Sequence, residues 1–170
     1  MNMRLLPSQA NGGRSMKRYL INSVPVVFLL AVFVVMSSAA PDKSSYDIKA
    51  ANAIRAVIDA QAAAWNRGDI EGYMDGYDRS PNTEFVGGDS ISRGWQTVLD
   101  NYKRKYDTRA KMGVLTFSDL EITILSKDAA LVLGRWRLKR ASDEPHGTFS
   151  LLFRKTKAGW RIVHDHSSSA

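Results

Sequence analysis

The sequence predicts an α+β domain, a cone-shaped fold of three helices packed on a strongly curved antiparallel sheet. Up to Tyr106, apolar residues recur every three or four positions, which is the period of amphipathic helices. From Val114 onward, apolar and polar residues alternate in four segments joined by short turns, which is the pattern of strands. Helices first and an antiparallel meander second indicate helices packed on one face of a sheet.

The first 39 of the 170 residues are typical of a secretory signal peptide. A basic stretch precedes an apolar run over 24–36, and the small residues Ser37-Ser38-Ala39-Ala40 follow. We predict cleavage after Ala39, because Pro41 disfavours cleavage one position later. Residues 1–15 precede Met16-Lys17-Arg18, which is a natural signal-peptide start, and we interpret them as an upstream start-site artefact.

The predicted signal peptide implies export to the periplasm or secretion, with residues 40–170 forming a single domain. The apolar run is shorter than the roughly 20 residues of a membrane span, so we expect no stable membrane anchor after cleavage. An uncleaved N-terminal anchor is the alternative.

Charge and cysteine content restrict the partners. The chain carries 24 basic and 17 acidic residues, a net charge of +7, but four basic residues precede Pro41, and the mature chain has a net charge of +3. The basic run Lys103-Arg104-Lys105 lacks interleaved aromatic residues, so it predicts a solvated face and no nucleic-acid partner. No cysteine is present, so core packing or oligomer contacts must hold the exported protein together.

Three segments of the mature chain have helical spacing. The first starts at a capping box, Ser44 to Asp47, and ends at Asn66-Arg67-Gly68, where Gly68 suits a left-handed position. Asp69 caps a short second helix over 70–77. The third runs from about Gly94 to Tyr106.

The predicted strands are short at first and then long. Glu84-Phe85-Val86 forms a short strand before the turn Gly87-Gly88-Asp89. The four long strands cover 114–126, 129–140, 146–155 and the closing segment from Trp160. The alternation slips by one position near Ser118-Asp119, which predicts a β-bulge.

Five motifs, taken together, resemble those of a known superfamily. They are Ala64-Trp65-Asn66-Arg67-Gly68-Asp69, Arg93-Gly94-Trp95, Gly134-Arg135-Trp136, His146-Gly147-Thr148-Phe149 and the closing strand from Gly159 to His166. The chain resembles the nuclear-transport-factor-2-like superfamily over roughly residues 46–168. Within it, the chain is similar to SnoaL-like, ketosteroid-isomerase-related domains and to the association domain of calcium/calmodulin-dependent kinase II. The resemblance implies a cone-shaped fold and a homodimer packed through the outer face of the sheet, but supplies no catalytic set.

The closing strand contains the candidate catalytic residues. In a regular strand Trp160, Ile162, His164 and His166 share one face, and Asp165 points the other way. His164 and His166 are therefore candidate acid–base groups on a pocket wall, because imidazole titrates near neutral pH. The alternative is that both histidines only form hydrogen bonds at the pocket floor or dimer edge. A metal site would need His146 or Glu84 as a third ligand, and we predict no metal or other cofactor.

Aromatic residues are the candidate ligand-binding groups. Tyrosine and tryptophan combine an apolar ring with a polar group, which suits a flat, partly apolar molecule. We assign Trp65 and Trp160 to the core, and we place five residues at the ligand: Tyr73, Tyr77, Trp95, Tyr102 and Trp136. The alternating Arg135, Arg137 and Lys139 predict a solvated outer face.

Two functions remain open. One is a small-molecule-binding protein that acts as an isomerase or hydrolase by acid–base chemistry. The other is a non-catalytic, homodimeric binding or association module. They differ in whether an acid or base and an oxyanion donor face one dry cavity.

Overall fold

The computed structural model describes residues 43–170, and the predicted signal peptide and cleavage site lie outside them. The helices are α1 (Lys43–Asn66), α2 (Ile70–Met74), α3 (Trp95–Lys105) and α4 (Arg109–Met112). The strands are β1 (Glu84–Gly87), β2 (Ser90–Arg93), β3 (Val114–Ser126), β4 (Ala129–Lys139), β5 (His146–Thr156) and β6 (Gly159–Ser167). None of these helices is long and apolar enough to cross a membrane.

The predicted α+β fold is confirmed. The six strands form one curved sheet in the order β2-β1-β6-β5-β4-β3, and α1 packs against β3 and β6. Strands β3 to β6 are the predicted antiparallel meander, whereas β1 joins β6 in parallel. The predicted bulge is also present, because the β3–β4 register shifts between Ser118 and Glu121 and Asp119 has a φ of 52°.

The turn between α1 and α2 has the predicted left-handed glycine and the predicted aspartate cap. Gly68 has a φ of +88°, and an Asp69 carboxylate oxygen accepts a 2.7 Å hydrogen bond from the backbone N–H of Gly72. The predicted cap at Ser44 is wrong, because the chain is already helical at Lys43. The predicted end of α2 at Tyr77 is also wrong, because Tyr77 instead forms a parallel bridge to Ile162 of β6.

The core lies between α1 and the inner face of the sheet. Ile54, Ile58 and Trp65 on α1 are buried, as are Phe153 and Trp160 on the sheet, so the assignment of Trp65 and Trp160 to the core is confirmed. Two four-residue elements, β2 and α4, were not predicted, since four residues repeat the strand period only twice and the helix period about once.

Candidate functional site

The inner face of the sheet and the helices enclose a cavity of about 420 Å³. This volume is in the range of small-molecule sites. Aromatic rings form much of the wall: Trp65 and Tyr73 meet edge to face at 5.2 Å between ring centroids, and Tyr73 and Tyr102 also lie 5.2 Å apart. A flat apolar molecule would therefore have ring contacts on several sides.

One carboxyl group lies on this aromatic wall. Asp165 is 3% exposed and lines the cavity from β6. Its Oδ2 accepts a hydrogen bond of 2.6 Å from the hydroxyl of Tyr77, and its Oδ1 accepts one of 2.7 Å from the hydroxyl of Ser167. These two hydroxyls hold the carboxyl group in a fixed orientation.

Burial raises the pKa of the Asp165 carboxyl above its usual range, although the hydrogen bonds from Tyr77 and Ser167 act in the opposite direction. Removal from water disfavours the charged form of an acid. The carboxyl of Asp165 therefore keeps its proton to a higher pH than that of an exposed aspartate.

The neighbouring phenols remain protonated. Burial raises the pKa of Tyr73, of Tyr77 and of Tyr102 above the usual value for tyrosine, and the charge of Asp165 adds to the effect. The hydroxyls of Tyr73 and Tyr102 lie 3.5 Å apart, which is long for a hydrogen bond. Their O–H groups are thus only weakly engaged with each other and can donate to an oxygen in the cavity.

The end of α2 is fixed by a buried amide. Gln61 on α1 is 2% exposed and donates a 3.0 Å hydrogen bond from Nε2 to the carbonyl oxygen of Tyr73. At Gly76 an added Cβ would lie 2.4 Å from the Gln61 side chain. Only glycine fits there, so the chain can leave α2 and pass close to α1 before Tyr77 pairs with β6.

The predicted orientation of His164 and His166 is wrong, because β6 contains a bulge. Leu152 pairs with His164 and Phe153 pairs with Ile162, so Val163 is an extra residue without a partner. The extra residue reverses the alternation, and Asp165 follows Ile162 onto the inner face.

Both histidines lie on the outer face of the sheet. Nδ1 of His164 is 3.1 Å from Oε2 of Glu84 on β1, and Arg93 on β2 donates to Oε1 of the same carboxylate at 2.8 Å. These hydrogen bonds lower the pKa of Glu84. His166 is exposed beside Leu133 and Ser150 in a separate depression.

Of the five predicted ligand-binding aromatics, the structure brings four to the cavity and separates one from it. Tyr73, Tyr77, Tyr102 and Trp136 line the cavity. Trp95 does not; its Nε1 donates to the carbonyl oxygen of Met74 at 2.9 Å, and Arg79 covers its ring at 4.5 Å. Trp95 thus fastens α3 to the end of α2.

Trp136 connects the cavity wall to the last residues of the chain. Its Nε1 donates a 2.9 Å hydrogen bond to the carbonyl oxygen of Ser168. Ser169 lines the cavity as well, so the segment after β6 contributes to its wall.

No group of three histidine, aspartate or glutamate side chains converges for metal binding within residues 43–170. Glu84 does contact His164, but His146, the other ligand considered, has its Nδ1 3.0 Å from the backbone oxygen of Glu144.

Sequence patterns missed Asp165 and Ser167 as site residues. After Val163 the strand contains no further large apolar side chain, so nothing in the sequence shows that the alternation has reversed. The only indirect signal for the position of the site was the set of aromatic residues on α2 and α3.

Comparison with known proteins agrees with the fold. The model of the SnoaL-like domain matches residues 54–170. A nuclear-transport-factor-2-like protein of unknown function from Shewanella oneidensis shares 39% sequence identity, over 69% of this chain and 98% of that one, with a TM-score of 0.67. No curated protein gives a significant match.

Two more distant structures show the same fold. A ketosteroid isomerase-like protein from Erwinia carotovora atroseptica is 20% identical, over 69% of this chain and 94% of that one, with a TM-score of 0.56. A nuclear-transport-factor-2-like superfamily protein from Salmonella enterica is 23% identical, over 74% and 91%, also with a TM-score of 0.56.

Proposed function

The chain belongs to the SnoaL-like domain family, and from its cavity we propose that it binds a small, partly apolar molecule and moves a proton on it through Asp165. The observation that carries the proposal is a buried carboxyl on the wall of an aromatic cavity, with its pKa raised by burial. A buried carboxyl with a raised pKa is a candidate general acid or base.

The phenols give the proposed reaction a second component. A proton can be removed from a carbon next to a carbonyl group when hydrogen-bond donors stabilise the negative charge that develops on the carbonyl oxygen. Tyr73 and Tyr102 supply two protonated hydroxyls for that oxygen. The carboxylate of Asp165 takes the proton from carbon, and the electron pair of the C–H bond forms an enolate. Return of the proton by the carboxylic acid to the same carbon gives exchange, and its return to another carbon gives an isomerisation.

This assignment differs from the hypothesis based on the closing strand. The role of His164 or His166 as proton carrier stays a prediction, and their place on the outer face argues for Asp165 instead. The name of the ketosteroid isomerase-like fold neighbour is compatible with proton transfer at carbon.

The test is exchange of carbon-bound protons in D2O, followed by NMR on a panel of cyclic ketones and enones. We expect the wild-type protein to incorporate deuterium next to the carbonyl group of those that enter the cavity. Asp165→Asn should abolish the exchange, whereas Ser167→Ala removes one supporting hydroxyl and should retain part of it. Exchange that persists in Asp165→Asn would assign the proton transfer to another group.

A non-catalytic binding module is the second candidate, and one observation favours it. Each oxygen of Asp165 already accepts a hydrogen bond, as expected for a buried polar group with a purely structural role. In that case native mass spectrometry of the protein isolated from its host would detect a retained organic molecule, while the NMR panel would show no exchange.

The proposal includes export and a homodimer. Export rests on the signal-peptide pattern of residues 1–39. The dimer rests on the outer face of the sheet, where Leu131 and Leu152 pair across β4 and β5 and Leu133 is 43% exposed. Two copies of one apolar strip can pack against each other around a two-fold axis.

A further inference from the structure

One part of the cavity wall differs in character from its aromatic lining. It is formed by β2 and the second half of α3, where the polar lining residues are Ser90, Ser92, Asn101 and Lys105. Among the lining residues in the described part of the chain, Lys105 is the single cation and Asp165 the single acid. The cavity therefore has a cation and an ionisable acid at two positions along its wall.

The side chain of Lys105 is used differently from those of its two basic neighbours. Lys103 pairs with Glu71 at 2.6 Å, and Arg104 donates to the side-chain oxygen of Asn101. Within residues 43–170, Lys105 makes no ion pair, and its Nζ lies 5.3 Å from the ring centroid of Tyr106, which lines the same cavity. The lysine thus places an uncompensated positive charge against the aromatic wall.

Hydroxyl groups beside Lys105 add donors. The amide nitrogen of Asn101 donates to Oγ of Ser92 at 2.9 Å, which leaves the Ser92 proton free to donate elsewhere. Ser90 contributes a second hydroxyl to the same part of the wall. None of the cavity-lining side chains on β2 and α3 is a carboxylate, so Lys105 gives this part of the wall a positive charge.

We infer that the ligand is an amphipathic organic anion, with an apolar ring system between the phenols and a carboxylate, sulfonate or phosphate group at Lys105. This inference rests on the proposed ligand-binding function. Tyr102 and Lys105 are one helical turn apart on α3, a rise of about 4.5 Å. The anionic group of the ligand would therefore lie about the width of one ring from the part of the ligand that contacts Tyr73 and Tyr102.

A purely structural role predicts a different result. A lysine in the last turn of a helix is stabilised by the helix dipole whether or not a ligand is present. Replacement of Lys105 would then affect charged and neutral ligands equally. The comparison of a charged with a neutral probe separates the two roles.

Two dyes with the same ring skeleton provide the test. The first, 8-anilinonaphthalene-1-sulfonate, carries an anionic group, and the second, N-phenyl-1-naphthylamine, lacks it. With the full chain, both should bind with increased fluorescence and displace one another, and the sulfonate should bind more tightly. Lys105→Gln should weaken binding of the sulfonate roughly three- to tenfold and leave that of the neutral dye within about twofold.

Control variants make the result specific. Lys105→Arg keeps the charge and should restore sulfonate binding, and Lys103→Gln makes the same charge change at an ion-paired lysine and should alter neither dye. High salt should reduce the advantage of the sulfonate in the wild type. An equal effect of Lys105→Gln on both dyes, or none on either, would overturn the inference while leaving the cavity as a binding site. Failure of both dyes to bind would contradict the proposed function itself.

Discussion

The hydroxyl of Tyr77 lies 2.6 Å from Oδ2 of Asp165, and both side chains are almost completely buried. The two residues are 88 positions apart in the sequence. The bridge between Tyr77 and Ile162 on one side, and the bulge at Val163 on the other, bring them together. The candidate site therefore depends on two local departures from regular secondary structure.

Tyr77→Phe should destabilise the protein by about 1–3 kcal/mol, because it leaves a buried carboxyl oxygen without its donor. The loss of that hydrogen bond should also raise the pKa of Asp165 further, because the hydrogen bond from Tyr77 lowers it. Urea unfolding measures the loss of stability. Tyr106→Phe is the matched control, since Tyr106 lines the cavity but its hydroxyl makes no hydrogen bond within residues 43–170. Equal stability of the two variants would contradict a structural role for the Tyr77–Asp165 contact.

Asp165→Asn should change how stability depends on pH. The unfolded chain releases this proton near the usual value of 3.8, and the folded protein releases it at a higher pH. Between these two values the folded state holds more protons, so the stability of the wild type falls as the pH rises through this window. Asparagine does not titrate, and the stability of wild type relative to Asp165→Asn should therefore decrease from acidic toward neutral pH.

Urea unfolding at a series of pH values measures this difference, with Asp59→Asn on the exposed side of α1 as the control. A wild-type profile parallel to that of Asp165→Asn would show that the carboxyl does not titrate abnormally. If Asp165 is the base, the same substitution should also lower turnover about 100- to 10,000-fold.

The fold was predictable because its long elements repeat their periods several times. Helix α1 has 24 residues and β3 has 13, so the apolar positions in each define one face without ambiguity. The four-residue elements β2 and α4 give no such repetition, and both were missed.

The candidate site was predictable only in part. The three- and four-residue spacing of apolar residues in α2 and α3 predicts the helical face on which Tyr73 and Tyr102 lie. Asp165 lies beyond a bulge, and a single extra residue reverses the face of everything that follows it. The slip near Asp119 could be detected because apolar residues continue on both sides of it, whereas none follows Val163.

Trp160→Ala should reduce the free energy of unfolding by about 3–5 kcal/mol, because the ring is buried and its removal leaves a cavity. Thermal melting followed by circular dichroism measures the loss. Trp160→Phe keeps an aromatic ring and should cost less. A melting temperature for Trp160→Ala close to that of the wild type would contradict the core position of this side chain.

Removal of residues 1–39 should leave a soluble, folded protein, because the described domain begins beyond the predicted cleavage site. Circular dichroism and size-exclusion chromatography of the shortened chain measure this. In the host, mass spectrometry of the exported protein should find Ala40 as its first residue. An insoluble product would argue against a cleavable signal peptide.

Leu133→Glu should convert the proposed dimer to a monomer. Leu133 lies on the outer face of β4, opposite Ser150 of β5. Two copies of a glutamate buried in the proposed interface would lose contact with water and repel each other. The cost of several kcal/mol that we expect corresponds to a loss of affinity of more than about 100-fold. Analytical ultracentrifugation gives the mass, and circular dichroism checks that the variant is folded.

Ile48→Glu is the control, because Ile48 is 59% exposed on α1, away from the sheet, and its replacement should leave the dimer intact. A folded Leu133→Glu dimer would show that the subunits meet elsewhere, and a dimer lost only in Ile48→Glu would assign the interface to α1.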